Sequence, residues 1–166
     1  TFEGYDFPII RYAEVLLNYA EAMYELGTIG KALDDALNIS LNLVRLRVNP
    51  DMPKLTTSFV SENNLNMREE IRRERTIELY NEGFRIDDLK RWNTAIVEMP
   101  KPILGVKWTG TDFATSWAGA SNMAKDSDGC LILENSRRWG SKNDLYPLPV
   151  DQCQLNPNLG QNAGWQ

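Results

Sequence analysis

Apolar residues recur at helical spacing near the start of the chain, and this pattern constrains the fold most strongly. From Ile9, at about 100° per residue, the apolar side chains fall along one face as far as Tyr24. A stripe of this length predicts an amphipathic helix of about four turns. Gly27 predicts its end, because glycine adopts the left-handed cap conformation at low cost. The stripe consists of Ile9, Ala13, Leu16, Ala20 and Met23.

A second helix is predicted directly after this one. Its apolar positions begin at Leu33 and continue through Val44, and Asn49-Pro50 predicts its end because a residue before proline avoids the helical region. A short turn between two helices makes them antiparallel. Small residues at Gly27, Ala32 and Ala36 are typical of a tetratricopeptide-like unit. Two interpretations stay open, a helical interaction scaffold and a generic helical hairpin.

Further helices are predicted beyond a polar loop over residues 50–65. Asn66 is a candidate N-cap with Glu69 three residues later, as in a capping box, and Gly83 predicts the end of that helix. A short helix is predicted over Ile86–Ala95.

The region 100–166 is rich in Pro and Gly, and its apolar residues show no sustained periodic spacing. Short strands are predicted near Cys130–Glu134 and Asp144–Leu148. We expect it to be an ordered loop region packed on the helices, because its aromatic side chains favour burial. The predicted fold is mostly α, one domain over residues 1–166 that is helical over 5–99 and loop-rich over 100–166, with few short strands.

Composition excludes several classes of function. The 166 residues carry a net charge of −5, which argues against a nucleic-acid binder or a polybasic membrane-surface protein. Histidine is absent, which excludes catalytic triads and metal sites that use it. Cys130 and Cys153 form no C-x-x-C motif and are expected as buried or half-buried thiols, or as a disulfide in an oxidising compartment.

Two carboxylates fall on the apolar face of the predicted third helix. On a helical wheel Glu74 and Glu78 lie within about 20° of Met67. One hypothesis is an acid/base pair for glycoside cleavage. The other is a buried Glu–Arg network, with Arg73, Arg75 or Arg85 as candidate partners. The density of arginines favours the network, because nearby cations would prevent one carboxyl from staying protonated.

Four blocks of sequence, in the same order, resemble the SusD/RagB-like family. They are RYAEVLLNYAEA at 11–22, LVRLR at 43–47, RRERTIELYNEGFRIDDLKRW at 72–92, and YPLP at 146–149 followed by NPNLGQNAGW at 156–165. The chain departs from the family pattern at Phe84, Ile86, Asp87 and Ala163. The resemblance implies that this is the C-terminal third of a longer lipoprotein.

The resemblance also implies a function and a location. It implies a non-enzymatic, cell-surface protein of the outer membrane that binds glycans and delivers them to a SusC-like TonB-dependent transporter. The membrane would be reached only through a lipid anchor that lies outside this chain. The alternative is a tetratricopeptide-like scaffold that contacts only the transporter and carries no ligand site.

Sugar binding needs flat aromatic faces and polar side chains for the hydroxyl groups. The predicted ligand-binding residues are Trp108, Asp112 and Trp117, in a loop rich in Ser, Thr and Gly, together with Trp139. The alternative is that these rings anchor the loops to the helical core. No cofactor is predicted. Asp126-Ser127-Asp128-Gly129 resembles the start of a calcium loop but lacks a terminal Glu in register, so no metal is predicted either.

Overall fold

The computed structural model describes residues 9–165 and divides into two compact units, with the boundary after Arg85. Each unit is described by itself. No helix among the described residues combines the length and the apolar character that crossing a bilayer requires.

The described residues of the first unit form five helices: α1 Tyr12–Glu25, α2 Gly30–Asn38, α3 Leu41–Val48, α4 Thr57–Glu62 and α5 Met67–Glu78. Helix α1 packs against α2, α3 and α5. The apolar stripes predicted from the sequence supply most of the core, and Leu17, Leu37 and Leu41 have no solvent exposure. The other core residues are Leu16, Ala20, Leu33, Val44, Leu55, Val60, Met67, Ile71 and Leu79. Ile9 is an exception, since it precedes the helix and is exposed.

The predicted second helix is two helices, so the prediction of one continuous helix is wrong. The break falls at Ile39-Ser40, where the Ser40 backbone leaves the helical region with φ −135° and ψ −100°. The Ser40 hydroxyl donates to the Ala36 carbonyl oxygen at 2.6 Å. A buried serine offers the backbone this alternative to helical hydrogen bonding. The apolar stripe stays buried on both sides of the break, through Leu33, Ala36, Leu37, Leu41 and Val44.

The loop predicted over residues 50–65 contains a further helix, α4. Its N-cap is Thr56, whose hydroxyl accepts from the Phe59 N–H at 3.1 Å. The predicted cap at Asn66 is confirmed, because its side-chain oxygen accepts from the Glu69 N–H at 3.3 Å. Helix α5 ends at Glu78, earlier than predicted, and Gly83 has φ +88° in the turn beyond it.

The second unit contains short elements: α6 Arg85–Arg91, α7 Ala95–Glu98, β1 Ile103–Lys107, α8 Phe113–Ser116, β2 Cys130–Glu134 and α9 Val150–Leu155. Short 3₁₀ turns span Ala118–Ala120 and Ser141–Asp144. The strand at Cys130–Glu134 is confirmed, whereas residues 144–148 form no strand. The predicted helix over 86–95 breaks at Asn93, which has φ +56°.

Strands β1 and β2 pair antiparallel, with Leu104 opposite Ile132 and Lys107 opposite Cys130. Beyond the pairing, the Gly129 carbonyl oxygen accepts from the N–H groups of Trp108 and Thr109 at 2.8 and 3.1 Å. Gly129 has φ +81°, and a Cβ there would lie 2.5 Å from the Cβ of Thr109. Only glycine fits this close approach without strain. The hairpin therefore holds the Trp108 segment at a fixed position in the unit.

Candidate functional site

An exposed pair of aromatic rings lies at the two ends of the short helix α8, with Phe113 as its first residue and Trp117 as its C-cap. The ring centroids of Phe113 and Trp117 are 6.3 Å apart, with an interplanar angle of 66°. Their spacing of four residues on one helix brings the two side chains together. Trp117 is 63% exposed and Phe113 is 44% exposed, so both rings present apolar surface to solvent. This pair has the chemistry that stacking on a sugar ring requires.

Polar residues lie on the same short segment as the aromatic pair. The Asp112 side chain is exposed at the start of α8, and the Asp112 carbonyl oxygen accepts from the hydroxyls of Thr115 and Ser116, each at 2.8 Å. Those hydroxyls still have lone pairs that can accept hydrogen bonds. The carboxylate of Asp112 and these two oxygens are therefore acceptors on the same short segment as the rings.

Trp108 has a different environment from the other predicted site residues. It is only 5% exposed and is buried in the second unit, as is Leu131. The ammonium group of Lys125 lies 5.9 Å from its ring centroid. The Trp108 ring is therefore enclosed within the second unit, and the exposed aromatic rings of residues 108–117 are those of Phe113 and Trp117.

Trp139 belongs to a separate cluster. Its indole N–H donates to Asp144 at 2.9 Å, and the Lys90 ammonium lies 5.8 Å from its ring centroid. The same ammonium lies 3.7 Å from the centroid of Tyr146, which is 70% exposed. Trp139 is half-buried. The structure thus places Asp112 and Trp117 at the two ends of α8, and it places Trp139 with Lys90, Asp144 and Tyr146.

The carboxylates of Glu74 and Glu78 lie in a Glu–Arg network, as the structural hypothesis predicted. Glu74 pairs with Arg45 at 3.4 Å, and both side chains are largely buried. Glu78 pairs with Arg11 at 2.6 Å and with Arg47 at 2.8 Å. These three arginines come from the N-cap of α1 and from α3, and the sequence argument named none of them as a partner. Their recruitment depends on how α1, α3 and α5 pack.

The three arginines that the sequence did propose make other contacts. Arg73 pairs with Glu70 at 3.4 Å, and its charge also acts to lower the pKa of Glu74. Arg75 donates to the Asn18 side chain at 2.8 Å, and Arg85 donates to the Thr76 hydroxyl at 2.9 Å.

Burial and ion pairing shift the pKa values of the carboxyl groups in this network in opposite directions. Burial raises the pKa of Glu74, and the opposing effect of Arg45 is smaller. The pKa of Glu82 is lowered, because its carboxylate accepts hydrogen bonds from Arg11. The arrangement links three helices through charge-assisted hydrogen bonds.

The acidic turn at Asp126 is satisfied by its own backbone. The Oδ1 atom of Asp126 accepts from the N–H groups of Asp128 and Cys130 at 3.0 and 2.8 Å. Residues 9–165 contain no cluster of three or more acidic or cysteine side chains placed to hold a metal ion. Cys130 and Cys153 are half-buried free thiols.

Phe113 is not among the site residues that the sequence predicts, although its ring completes the exposed pair. Its four-residue separation from Trp117 was the available signal, but it is informative only once the segment is known to be helical. The short helix has no apolar periodicity of its own that could reveal it.

The chain belongs to the SusD family, whose sequence pattern it matches over residues 1–165. A solved structure of a SusD-like carbohydrate-binding protein from Bacteroides fragilis NCTC 9343 is similar to this fold, with a TM-score of 0.68 and 31% sequence identity. The similarity covers 92% of this chain but only 28% of that protein. No curated protein sequence matches this chain.

Proposed function

We propose that this chain binds glycans and that the exposed pair Phe113 and Trp117 contributes a stacking surface for a sugar ring. The observation that carries the proposal is that both rings are exposed to solvent and lie in contact, with their planes 66° apart. Membership of the SusD family and the structural similarity to a carbohydrate-binding member support it.

The chemistry around the rings suits a neutral, hydroxyl-rich ligand. The apolar C–H face of a pyranose stacks on an indole, while its hydroxyl groups donate to nearby oxygen acceptors. The carboxylate of Asp112 and the hydroxyl oxygens of Thr115 and Ser116 are such acceptors. Trp139 and Trp108 are less suited to a first contact, since the former is half-buried and the latter is buried.

The wider role proposed here follows from the family. We propose that the protein acts at the cell surface, held to the outer membrane by a lipid anchor outside this chain. Its proposed partner is a SusC-like TonB-dependent transporter, to which it delivers the glycan without catalysing a reaction. The pairing of Glu74 and Glu78 with arginines supports a structural role for these carboxylates rather than an acid/base role.

A binding titration with three variants tests the glycan site. The protein is titrated with a panel of soluble polysaccharides by isothermal calorimetry, and Trp117→Ala, Trp117→Phe and Tyr80→Ala are compared with the parent sequence. Loss of the stacking surface should weaken binding at least tenfold in Trp117→Ala, about 1.4 kcal/mol, with partial recovery in Trp117→Phe. Tyr80 is an exposed aromatic of the first unit and serves as the matched control.

Three results would contradict the proposal. Unchanged affinity in Trp117→Ala would remove α8 from the site. Absence of binding to every polysaccharide by a folded protein would favour the alternative, a scaffold whose partner is the transporter. Glycoside turnover that disappears in Glu78→Gln would instead indicate an enzyme.

A further inference from the structure

The second unit contains a basic segment, although the chain is acidic overall. Residues 135–143 include Arg137, Arg138 and Lys142 and no acidic residue, whereas the net charge of the whole chain is −5. A local excess of one charge attracts ligands of the opposite charge. The segment is therefore a candidate site for an anionic ligand.

Helix α6 adds a fourth cation to this segment. The Lys90 ammonium lies 3.7 Å from the ring centroid of Tyr146 and 5.8 Å from that of Trp139. Tyr146 is 70% exposed, while Lys90 and Trp139 are half-buried. The indole N–H of Trp139 donates to Asp144 at 2.9 Å, which orients that ring. Because an aromatic face attracts an ammonium group, the two rings hold Lys90 in place.

A second lysine lies over a second aromatic side chain of the same segment. The ammonium of Lys142 is 4.8 Å from the ring centroid of Trp165. The indole N–H of Trp165 donates to the carbonyl oxygens of Lys142 and Leu145 at 2.7 and 3.0 Å. Lys142 is exposed and Trp165 is half-buried. These contacts define the lysine–aromatic cluster, which consists of Lys90, Trp139, Lys142, Tyr146 and Trp165.

The cations of this region are left without acidic partners in the described part of the chain. No ion pair there involves any of four side chains, namely Lys90, Arg137, Arg138 and Lys142. Arg138 donates instead to two backbone carbonyl oxygens, at 3.2 and 2.8 Å. The carboxylate of Glu134 accepts from Ser136, and that of Asp144 accepts from Trp139. The region therefore keeps a positive charge that an anionic ligand can neutralise.

An acidic sugar uses both features of the lysine–aromatic cluster. Its carboxylate accepts a charge-assisted hydrogen bond from an ammonium group, and the C–H face of its ring contacts an aromatic side chain. A small inorganic anion uses only the charge, and an exposed ion pair by itself contributes little. A neutral sugar leaves the ammonium groups without a partner. The combination therefore favours a sugar that carries a negative charge.

We infer that the lysine–aromatic cluster binds a uronic acid residue of a polysaccharide, with the carboxylate on Lys90 and the sugar ring against Tyr146. The inference rests on the proposed function for the carbohydrate class of the ligand. The cluster shares no residue with the stacking surface on α8. At α8 the exposed carboxylate of Asp112 disfavours a second negative charge, so the two positions prefer different sugars.

Polymers that differ only in charge test the inference. Polygalacturonate, alginate and hyaluronan, each beside its methyl ester, are titrated into the protein by isothermal calorimetry at low salt. At least one acidic polymer should bind more tightly than its ester by about fivefold or more. Lys90→Met keeps the length of the side chain but removes its charge, so this preference should fall below about twofold.

Lys54→Met is the matched control. Lys54 is an exposed lysine of the first unit, and its substitution changes the net charge of the protein by the same amount. The preference for the acidic polymer should persist in this variant, since it depends on the cluster rather than on the net charge.

Two measurements on the parent protein require no variant and therefore do not depend on the folding of Lys90→Met. Added salt should weaken binding of the acidic polymer but leave binding of its ester unchanged. An amine-reactive reagent with mass-spectrometric detection should label Lys90 and Lys142 less in the presence of the acidic polymer. Labelling of Lys54 should stay the same.

The results separate this inference from the proposed stacking site. Equal affinity for every acid and its ester, or absence of binding to all three acids, would overturn the inference. If the neutral esters still bind through Trp117, the site on α8 stands. Binding of an acidic polymer that requires Lys90 but not Trp117 would support the lysine–aromatic cluster and contradict the site on α8. Tighter binding of polyglutamate than of any acidic polysaccharide, lost in Lys90→Met, would assign the cluster to an acidic protein surface and overturn the inference.

Discussion

The two units are stabilised in different ways. The first unit has a continuous side-chain core, with twelve buried apolar residues in one cluster among the described part of the chain. In residues 86–165 the buried apolar side chains are few, namely Leu89, Ala95, Trp108 and Leu131. The second unit instead relies on side chains that bond to the backbone of turns. The Gln161 amide, for example, both accepts from the Leu148 N–H and donates to its carbonyl oxygen, at 2.7 and 2.8 Å.

Because they are stabilised differently, the two units are suited to different roles. A regular helical core specifies a rigid surface, whereas turns fixed by local hydrogen bonds can present exposed side chains such as Trp117. As a consequence, the structure of the second unit depends strongly on individual glycine residues and side-chain amides in its turns. Substitutions in the two units should therefore act through different mechanisms.

The largest effect is expected from a cavity in the first unit. Leu37 has no solvent exposure, and Leu37→Ala should lower the free energy of unfolding by about 3 kcal/mol through lost burial and residual cavity. Urea denaturation followed by far-ultraviolet circular dichroism measures this loss. Ile29→Ala, at a position that is 80% exposed, is the control and should change stability by less than about 0.5 kcal/mol. Equal losses would show that no core specific to this unit exists.

A smaller loss is expected at a backbone position of the second unit. Gly129→Ala forces a side chain onto φ +81° and against Thr109, and it should cost about 2 kcal/mol. Near-ultraviolet circular dichroism of the tryptophans, including Trp108, reports on this unit during thermal unfolding. Gly119→Ala is the matched control, because nothing lies within 4 Å of its added Cβ. A neutral Gly129→Ala would contradict the close approach of the two backbone segments.

The smallest effect is on the pH dependence of stability, to which Glu74 and Glu82 contribute with opposite sign. Burial raises the pKa of Glu74, so the folded state binds its proton more tightly, and the contribution of Glu74 to stability decreases as pH rises above 4.5. Arg11 lowers the pKa of Glu82, so its contribution is present above pH 4.5 and is lost as pH falls.

Chemical denaturation between pH 3.5 and 7 measures both dependences. As pH rises, the parent sequence should lose stability relative to Glu74→Gln. Over the same range it should gain stability relative to Glu82→Gln. If the two stability differences change with pH in the same direction, burial is not the dominant effect on the pKa of Glu74.

The sequence predicted the helical half of the fold well because its signal is periodic. Leu33, Leu37 and Val44 were identified as one face and are buried, even though Ser40 divides the helix. The break itself could not be predicted, since a mid-helix serine either points outward or bonds to the preceding turn. Helix α4 was missed because six residues are too few to show a period.

The candidate site was predicted only in part. Asp112 and Trp117 cap the two ends of α8, whereas Trp139 contacts Asp144 and Lys90. Trp108 is buried, and its backbone is bonded to Gly129. Composition can show that a loop is rich in aromatic and polar residues. It cannot show which rings face solvent, because in a segment without a period the direction of each side chain is set by distant contacts.

By itself the sequence determined the class of fold, the family, and the apolar stripes that build the first unit, because helical spacing and ordered motifs are local properties of the chain. The tertiary structure decided which arginines pair with Glu74 and Glu78, which tryptophan is buried and which aromatic pair is exposed. These outcomes depend on contacts between residues that are far apart in the chain, such as Arg11 and Glu78. Their side chains meet only when the helices pack, since burial and electrostatic pairing act across space rather than along the sequence.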